Sequence, residues 1–274
     1  MGVTRFYKFQ PVYERSAEDL AKANKHLDAL VKSYAIFSGR KSFNDPFDSK
    51  IDIVYPTPQQ VLTLLQRPNI DARTRTIMDS WVSNEAFTPD GVRFLSDCER
   101  TLNETIDSYP MYCVSSHNTC TLLWSHYASS HTGFCIELEF AAEQPTQVHY
   151  QQHIASIALL DCLKFSFKLD ANTDLGERIH DALLVKLRCW SYEGEYRWIA
   201  GNAMGRVPKG QRSIEIKYDP QQVRAVIFGC RMSPRVKTYI VKTLQELRFT
   251  TEFQQAIEVK DCIEVVPFDE HTHL

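Results

Sequence analysis

One stretch of nine residues decides how this chain folds: Trp190-Ser191-Tyr192-Glu193-Gly194-Glu195-Tyr196-Arg197-Trp198. Extended as a strand, it points successive side chains to opposite faces. Glu193, Glu195 and Arg197 then share one face, and the aromatic residues share the other. Two carboxylates about 7 Å apart beside a guanidinium are costly to bury unless they are paired. The pattern alone favours a solvent-exposed ion-pair row, with a functional site as the alternative.

The composition is that of an ordinary globular protein. The chain has 274 residues, 43% of them hydrophobic and 24% charged, and a net charge of −3. This charge gives no indication of a general nucleic-acid surface. No uncharged apolar run approaches the roughly 18 residues of a membrane span, and the first residues lack the apolar core of a signal peptide. Eight cysteines without a Cys-x-x-Cys pair are typical of reduced thiols, so we expect a cytoplasmic protein without membrane association.

Short predicted strands are spread through the chain rather than alternating regularly with helices. This pattern predicts an α+β fold with a mixed or antiparallel split sheet core and flanking helices, rather than a doubly wound parallel sheet. We expect one domain over residues 1–274, with a helical insert at about 57–107 that begins at the Thr57-Pro58 cap. Further predictions place a helix at Leu175–Leu187 and a strand at about 192–200.

A second informative stretch runs from Cys113 to Phe134. A strand ends in Ser115-Ser116-His117-Asn118, and a helix carrying Trp124, His126 and Tyr127 follows. Strand ends that lead into helix N-termini offer backbone N–H groups to anions. The structural alternative is a turn and cap, with the aromatic residues in the core. A third stretch, Phe43-Asn44-Asp45-Pro46-Phe47-Asp48, favours a turn anchored by two phenylalanines.

Other chemistries have weaker support in the sequence. Cys113, His117, Cys120 and His126 match no common zinc-site spacing, and we expect no metal. A Cys113–His126 nucleophile pair stays open, although a cysteine beside bulky apolar residues is more often inert. The chain has only ten glycines and no glycine-rich phosphate loop, which argues against P-loop and Rossmann enzymes.

Taken together, these stretches carry a family resemblance. The chain resembles a widespread bacterial family known only as a domain of unknown function, and the resemblance covers about residues 6–232. It rests on an opening Tyr7-Lys8-Phe9 strand, on the turn at residues 43–48, and on the segment from Cys113 to Phe134. The Glu-Gly-Glu stretch at 190–197 and the apolar strand that ends in Phe228-Gly229 complete the ordered series.

The layout is also similar, by analogy, to that of the ADP-ribosyltransferase superfamily. This resemblance implies NAD as substrate, a catalytic Glu195, a Glu193 that positions or deprotonates the acceptor, and an Arg197 that keeps both ionised or binds pyrophosphate. It implies NAD-binding roles for a further set of residues: Tyr7, Lys8, Asn44, Asp45, Ser115, Trp124, His126 and Tyr127. An aromatic residue, Trp124 or Tyr127, would stack on nicotinamide, and Ser115 would bind near the ribose.

The resulting hypothesis is an NAD-dependent ADP-ribosyltransferase-like enzyme, with a role in phage defence or as a toxin. Its acceptor would be a protein, a nucleic acid or water, and a neutralising partner protein would accompany a toxin. Two alternatives stay open. One is a nuclease or other hydrolase that uses Glu193, Glu195 and His126 as acid–base groups. The other is a non-catalytic sensor or adaptor domain that binds a ligand in the same pocket.

Overall fold

The computed structural model describes residues 5–13, 20–67, 70–140, 145–169, 174–200 and 205–273. The strands of its main sheet are β1 (Arg5–Gln10), β2 (Tyr34–Ser38), β6 (Met111–Ser115), β7 (Phe134–Glu139), β8 (Thr146–Gln147), β12 (Glu195–Ile199), β13 (Ser213–Lys217), β14 (Val223–Phe228), β15 (Glu252–Val259) and β16 (Cys262–Pro267). Three short pairs lie outside it: β3 (Ile51–Val54) with β10 (Ala155–Ala158), β4 (Val82–Ser83) with β5 (Ala86–Phe87), and β9 (His149–Gln151) with β11 (Val185–Leu187).

The helices are α1 (Leu20–Ala23), α2 (Lys25–Val31), α3 (Pro58–Leu65), α4 (Ala72–Asp79), α5 (Pro89–Asp107), α6 (Thr121–Tyr127), α7 (Leu159–Ser166), α8 (Leu175–Leu183), α9 (Pro234–Glu246) and α10 (Glu270–His273). Among the described residues, no helix is both long enough and apolar enough to cross a membrane. The mixed sheet with flanking helices confirms the predicted α+β class.

The main sheet divides at β6. Within the described ranges it has ten strands in the order β13-β2-β6-β1-β7-β14-β15-β16, with β12 pairing β6 and β8 off this path. One edge of β6 pairs along its whole length with β12. The other edge pairs with β1 only at Ser115 and with β2 only at Met111. Because β1 and β2 meet opposite ends of one strand edge, the sheet opens between them beside Cys113.

Each face of the sheet carries its own core. Helices α1, α2 and α9 bury one face, on which Phe6, Tyr112 and Phe228 lie. Helix α6 packs against the other face, where the Trp124 ring meets the Phe9 ring edge-on at 5.0 Å between centroids. The segment predicted as a helical insert contains α3, α4 and α5, with the short β4–β5 hairpin between the last two. Thr57 begins α3 with the expected capping box.

Two predicted elements are wrong near the decisive stretch. The strand expected from about 192 begins only at Glu195, because residues Arg188–Glu193 form a 3-10 helix that ends at a left-handed Gly194. The helix expected over 175–187 ends at Leu183, and Val185–Leu187 form β11 instead. Strand β11 runs parallel to β9, with Lys186 opposite Tyr150. These changes set the positions of Glu193 and Lys186.

Candidate functional site

Three of the predicted site residues lie in one row across the sheet. Tyr7 of β1 is the cross-strand partner of Ser115 in β6, and Ser115 is also the partner of Glu195 in β12. Directly opposed residues point to the same face. The row therefore brings together residues that are separated by more than 180 positions in the chain.

The turn at Gly194 brings Glu193 to the same face as this row. Gly194 has a φ of +50°, which lies in the left-handed region, and its carbonyl accepts the backbone N–H of Ser116 at 3.0 Å. The Ser115 hydroxyl donates to the carbonyl of Glu193 at 2.6 Å. Strand alternation was thus the wrong reason for placing Glu193 beside Glu195, since a 3-10 helix and a glycine turn bring it there.

Arg197 lies behind this row and is fully enclosed. Its Nε donates to Glu195 Oε1 at 2.7 Å, and its Nη2 donates to Asp48 Oδ1 at 2.6 Å. Its Nη1 donates to the Ser49 hydroxyl at 2.7 Å and to the Leu183 carbonyl at 2.6 Å. Since its side chain is 0% exposed, the guanidinium acts on any ligand only through the carboxylates that it holds.

Lys186 joins three carboxylates. Its Nζ lies 2.5 Å from Glu193 Oε2, 2.7 Å from Glu195 Oε2 and 3.2 Å from Asp48 Oδ2. We call Asp48, Lys186, Glu193, Glu195 and Arg197 the charge cluster. It holds three carboxylates and two cations, so it carries one surplus negative charge when every group is ionised. All five side chains are buried.

The two glutamates of the cluster have different protonation behaviour. Burial alone would raise the pKa of Glu195, but the charges of Arg197 and Lys186 outweigh it and hold this pKa well below its ordinary value. For Glu193, burial dominates and raises the pKa, with the Glu195 charge acting in the same direction against the attraction of Lys186. Glu195 is therefore a permanent anion, whereas Glu193 is the glutamate better suited to proton transfer.

Tyr127 of α6 lies over Glu193. Its hydroxyl donates to Glu193 Oε1 at 2.8 Å, and the Asn44 side chain lies beside the same phenol. Burial, followed by the nearby Glu193 charge, raises the pKa of Tyr127, so the phenol keeps its proton for this hydrogen bond. His126 is exposed beside it, with its ring centroid 6.2 Å from that of Trp190.

A cavity of about 410 Å³ opens over the row and the charge cluster. Its walls include both cluster glutamates with Asp48 and Lys186, and they extend to Lys8 of β1 and His26 of α2. Six of the eight predicted binding residues lie on this wall. They are Tyr7, Lys8, Asn44, Ser115, His126 and Tyr127.

Two predicted binding residues lie elsewhere. Trp124 is fully buried, and its indole N–H donates to the Asn118 carbonyl at 2.7 Å, so it belongs to the core rather than to a nicotinamide platform. Asp45 accepts the Phe47 N–H at 2.9 Å and stabilises its own turn. That turn instead delivers the neighbouring Asp48 to the cluster.

Sequence reasoning missed Asp48, Lys186 and Tyr150 as parts of this site. Asp48 is the last residue of the turn motif at 43–48. The signal for Lys186 was a charged residue between the apolar Val185 and Leu187. Tyr150 accepts the Glu195 backbone N–H through its hydroxyl at 2.8 Å. The distant pairing that makes these residues important leaves no trace in local sequence.

The cysteine alternatives receive no geometric support. Burial raises the pKa of Cys113, followed by the effect of the Glu195 charge, so its thiol stays protonated and unreactive. In the part of the chain that the structure describes, no group of three or more His, Cys, Asp or Glu side chains is arranged to hold a metal ion.

Comparison of the chain with protein-family models, with curated proteins and with solved structures finds no match. The resemblances drawn from the motifs therefore stay predictions, and the cavity with its charge cluster is the structural feature that bears on function.

Proposed function

We propose that this protein is an ADP-ribosyltransferase-like enzyme that uses NAD as a substrate. It would break the nicotinamide–ribose bond and transfer ADP-ribose to a macromolecular acceptor. One observation carries the proposal: Tyr7, Ser115 and Glu195 form a single row on one cavity, with Glu193 beside them. These residues come from the three separate segments that such an enzyme uses.

The reaction places demands on charge that the cluster meets. When the bond between the ribose C1′ and the nicotinamide nitrogen breaks, both bonding electrons go to the nitrogen and positive charge develops on the ribose. A fixed anion beside the ribose lowers the energy of this oxocarbenium-like state. Glu195 is such an anion, because Arg197 and Lys186 keep it ionised at every pH of interest.

The surplus negative charge of the cluster supports the same chemistry. Asp48, Glu193 and Glu195 face only two cations, so the wall of the cavity favours a positively charged ring or ribose over an anion. Ion pairs alone are weak evidence for a site, since buried networks are also structural. Four members of this network, however, line a cavity rather than a closed core: Asp48, Lys186, Glu193 and Glu195.

Glu193 supplies the proton acceptor in this proposal. An acceptor hydroxyl or water attacks C1′ and passes its proton to the Glu193 carboxylate as the new bond forms. The raised pKa of Glu193 makes it a stronger base than an ordinary glutamate. The Tyr127 hydroxyl and the Lys186 ammonium each donate to one of its oxygens and fix its orientation.

The test is nicotinamide release from NAD, measured by chromatography, together with transfer of label from adenine-labelled NAD to cell extract. We expect Glu195→Gln to lower the rate of nicotinamide release by at least about 100-fold. Glu139→Gln is the matched control, since Glu139 of β7 forms a partly exposed ion pair with Arg224 of β14 and neither residue lines the cavity. A wild-type rate no higher than that of Glu195→Gln would refute the transferase proposal.

The same samples separate the alternatives. Loss of RNA or DNA that depends on Glu193 and Glu195, without nicotinamide release, would indicate the hydrolase. Cellular activity that persists in the Glu193→Gln and Glu195→Gln double variant would indicate the sensor or adaptor domain.

A further inference from the structure

Two residues on the wall of the cavity, Lys8 and His26, differ in character from the charge cluster. Lys8 follows Tyr7 in β1 and therefore points to the other face of the sheet, the face on which α2 packs. His26 of α2 also lines the cavity. One cavity is thus lined by the carboxylates of the charge cluster and also by a lysine and a histidine from other elements.

The ammonium of Lys8 has N–H groups that make no hydrogen bond to the described residues. It donates to the Cys113 carbonyl at 2.7 Å, and it lies 4.8 Å from the centre of the Tyr112 ring. Among the placed residues, no carboxylate is in ion-pair contact with it. An ammonium has three N–H donors, and one carbonyl satisfies only one of them. A partly buried cation that has no carboxylate in contact among the described residues is suited to an anionic ligand.

His26 offers a second unused group. Its Nδ1 is buried and makes no hydrogen bond within the described residues. Burial, reinforced by the Lys8 charge, lowers the pKa of His26 to about 4. A neutral imidazole carries one N–H, which can reside on either nitrogen, so His26 can donate to an oxygen of a ligand.

We propose that Lys8 and His26 form a phosphate-binding subsite that holds the diphosphate of a nucleoside diphosphate ligand. A phosphate oxygen would accept from the Lys8 ammonium and from the His26 imidazole. The charge cluster repels an anion, so the diphosphate would bind to Lys8 and His26 and leave an uncharged or cationic part of the ligand for the carboxylates. The inference rests on the proposed function for what that other part is, but it concerns binding alone.

Isothermal titration calorimetry with ADP, and with adenosine as the ligand that lacks phosphate, tests this subsite without any turnover. We expect Lys8→Met to weaken ADP binding by about tenfold or more and to leave adenosine binding unchanged. Lys25→Met is the matched control. It removes a neighbouring lysine whose Nζ lies 3.4 Å from the Ser213 hydroxyl in an exposed contact, and it should bind ADP like wild type.

His26→Ala tests the same subsite in case Lys8→Met does not fold. Lys8 also donates to the Cys113 carbonyl, whereas the buried Nδ1 of His26 has no hydrogen-bond partner to lose among the described residues. We expect His26→Ala to fold like wild type and to weaken ADP binding by about threefold to tenfold. Equal affinity of wild type and both variants for ADP would overturn the subsite, as would absence of ADP binding by wild type.

A spectroscopic signature distinguishes ligand contact from a structural effect. In histidine-labelled protein, the His26 resonance, identified by its loss in His26→Ala, should titrate at higher pH when ADP is present, because a nearby anion favours the imidazolium. An unchanged titration would contradict the contact. ADP binding with this shift, but without nicotinamide release from NAD, would uphold the subsite and refute the transferase.

Discussion

The guanidinium of Arg197 holds the carboxylate of Asp48 at 2.6 Å across 149 positions of sequence. This single contact joins the turn at residues 43–48 to the Glu-Gly-Glu stretch. It explains why the turn carries an aspartate at its last position, where the residue fixes a cation behind the cavity. The same guanidinium also binds Glu195, so the geometry of the candidate catalytic carboxylate depends on a distant loop.

Replacing Arg197 should therefore destabilise the fold severely. Arg197→Met leaves Asp48 and Glu195 buried with only Lys186 as a counter-ion, and we expect a loss of about 3–5 kcal/mol in the free energy of unfolding. Urea denaturation followed by circular dichroism measures it. Arg224→Met, which breaks a partly exposed pair with Glu139, should cost no more than about 1 kcal/mol. Equal losses in the two variants would mean that the buried network contributes little.

The sequence predicted the strands of this site better than the contacts between its charged side chains. Strand propensity identified β1 and β6 to within a residue or two, because enrichment in aromatic and β-branched residues is a local property. The Glu-Gly-Glu stretch failed as a continuous strand because Gly194 adopts a left-handed conformation that no alternation pattern records. Its two glutamates still converge, through a turn rather than through a shared strand face.

Lys186 shows why the remaining site residues escaped prediction. A lysine in a Val-Lys-Leu segment looks like an ordinary polar position of a helix or strand. Its importance comes from three carboxylates supplied by two other segments, and that requires knowledge of tertiary pairing. Asp48 was visible within its motif, but the turn pattern favoured a structural role, and the resemblance implied NAD-binding roles for Asn44 and Asp45 instead.

The stability of the protein should depend on pH in opposite ways through the two glutamates. Glu195 has a folded-state pKa far below its ordinary value of 4.5. It therefore contributes stability that is complete above 4.5 and is lost as the pH falls toward its folded-state pKa. Glu195→Gln should cost about 3–5 kcal/mol at neutral pH, and this difference from wild type should shrink below about pH 4.5.

Glu193→Gln is the matched comparison. Because the folded-state pKa of Glu193 is raised, ionisation of this group lowers stability as the pH rises through that value. The stability of Glu193→Gln relative to wild type should therefore improve with rising pH, opposite to the trend for Glu195→Gln. Denaturation curves from about pH 3 to about pH 8 measure both trends, and parallel curves for the two variants would contradict the assignment.

Tyr127→Phe should shift the pH dependence of activity. The lost hydroxyl donates to Glu193 Oε1, and this hydrogen bond lowers the pKa of Glu193. Its removal should raise that pKa further, so the acidic limb of the rate profile for nicotinamide release should move to higher pH. Tyr218→Phe, at a half-buried tyrosine that packs against the core on the Phe6 face of the sheet, is the control and should leave the limb in place. An unshifted limb in Tyr127→Phe would remove Glu193 as the titrating base.

The Gly194 turn should matter for activity more than for stability. Gly194→Ala forces a left-handed conformation on alanine, and its new Cβ would lie 2.6 Å from His117 Nε2 and from the Ser116 hydroxyl, so the loop must shift. Gly210→Ala is the matched control, because Gly210 also has a positive φ of +87° but has nothing within 4 Å of an added Cβ.

Both variants should lose about 1–2 kcal/mol in the free energy of unfolding from backbone strain. Only Gly194→Ala should also lower the rate of nicotinamide release, by about tenfold or more, since its shift moves the Glu193 carboxylate away from the Tyr127 hydroxyl and the Lys186 ammonium. Equal rates in the two variants, measured at matched folded fractions, would show that the position of Glu193 does not depend on this turn.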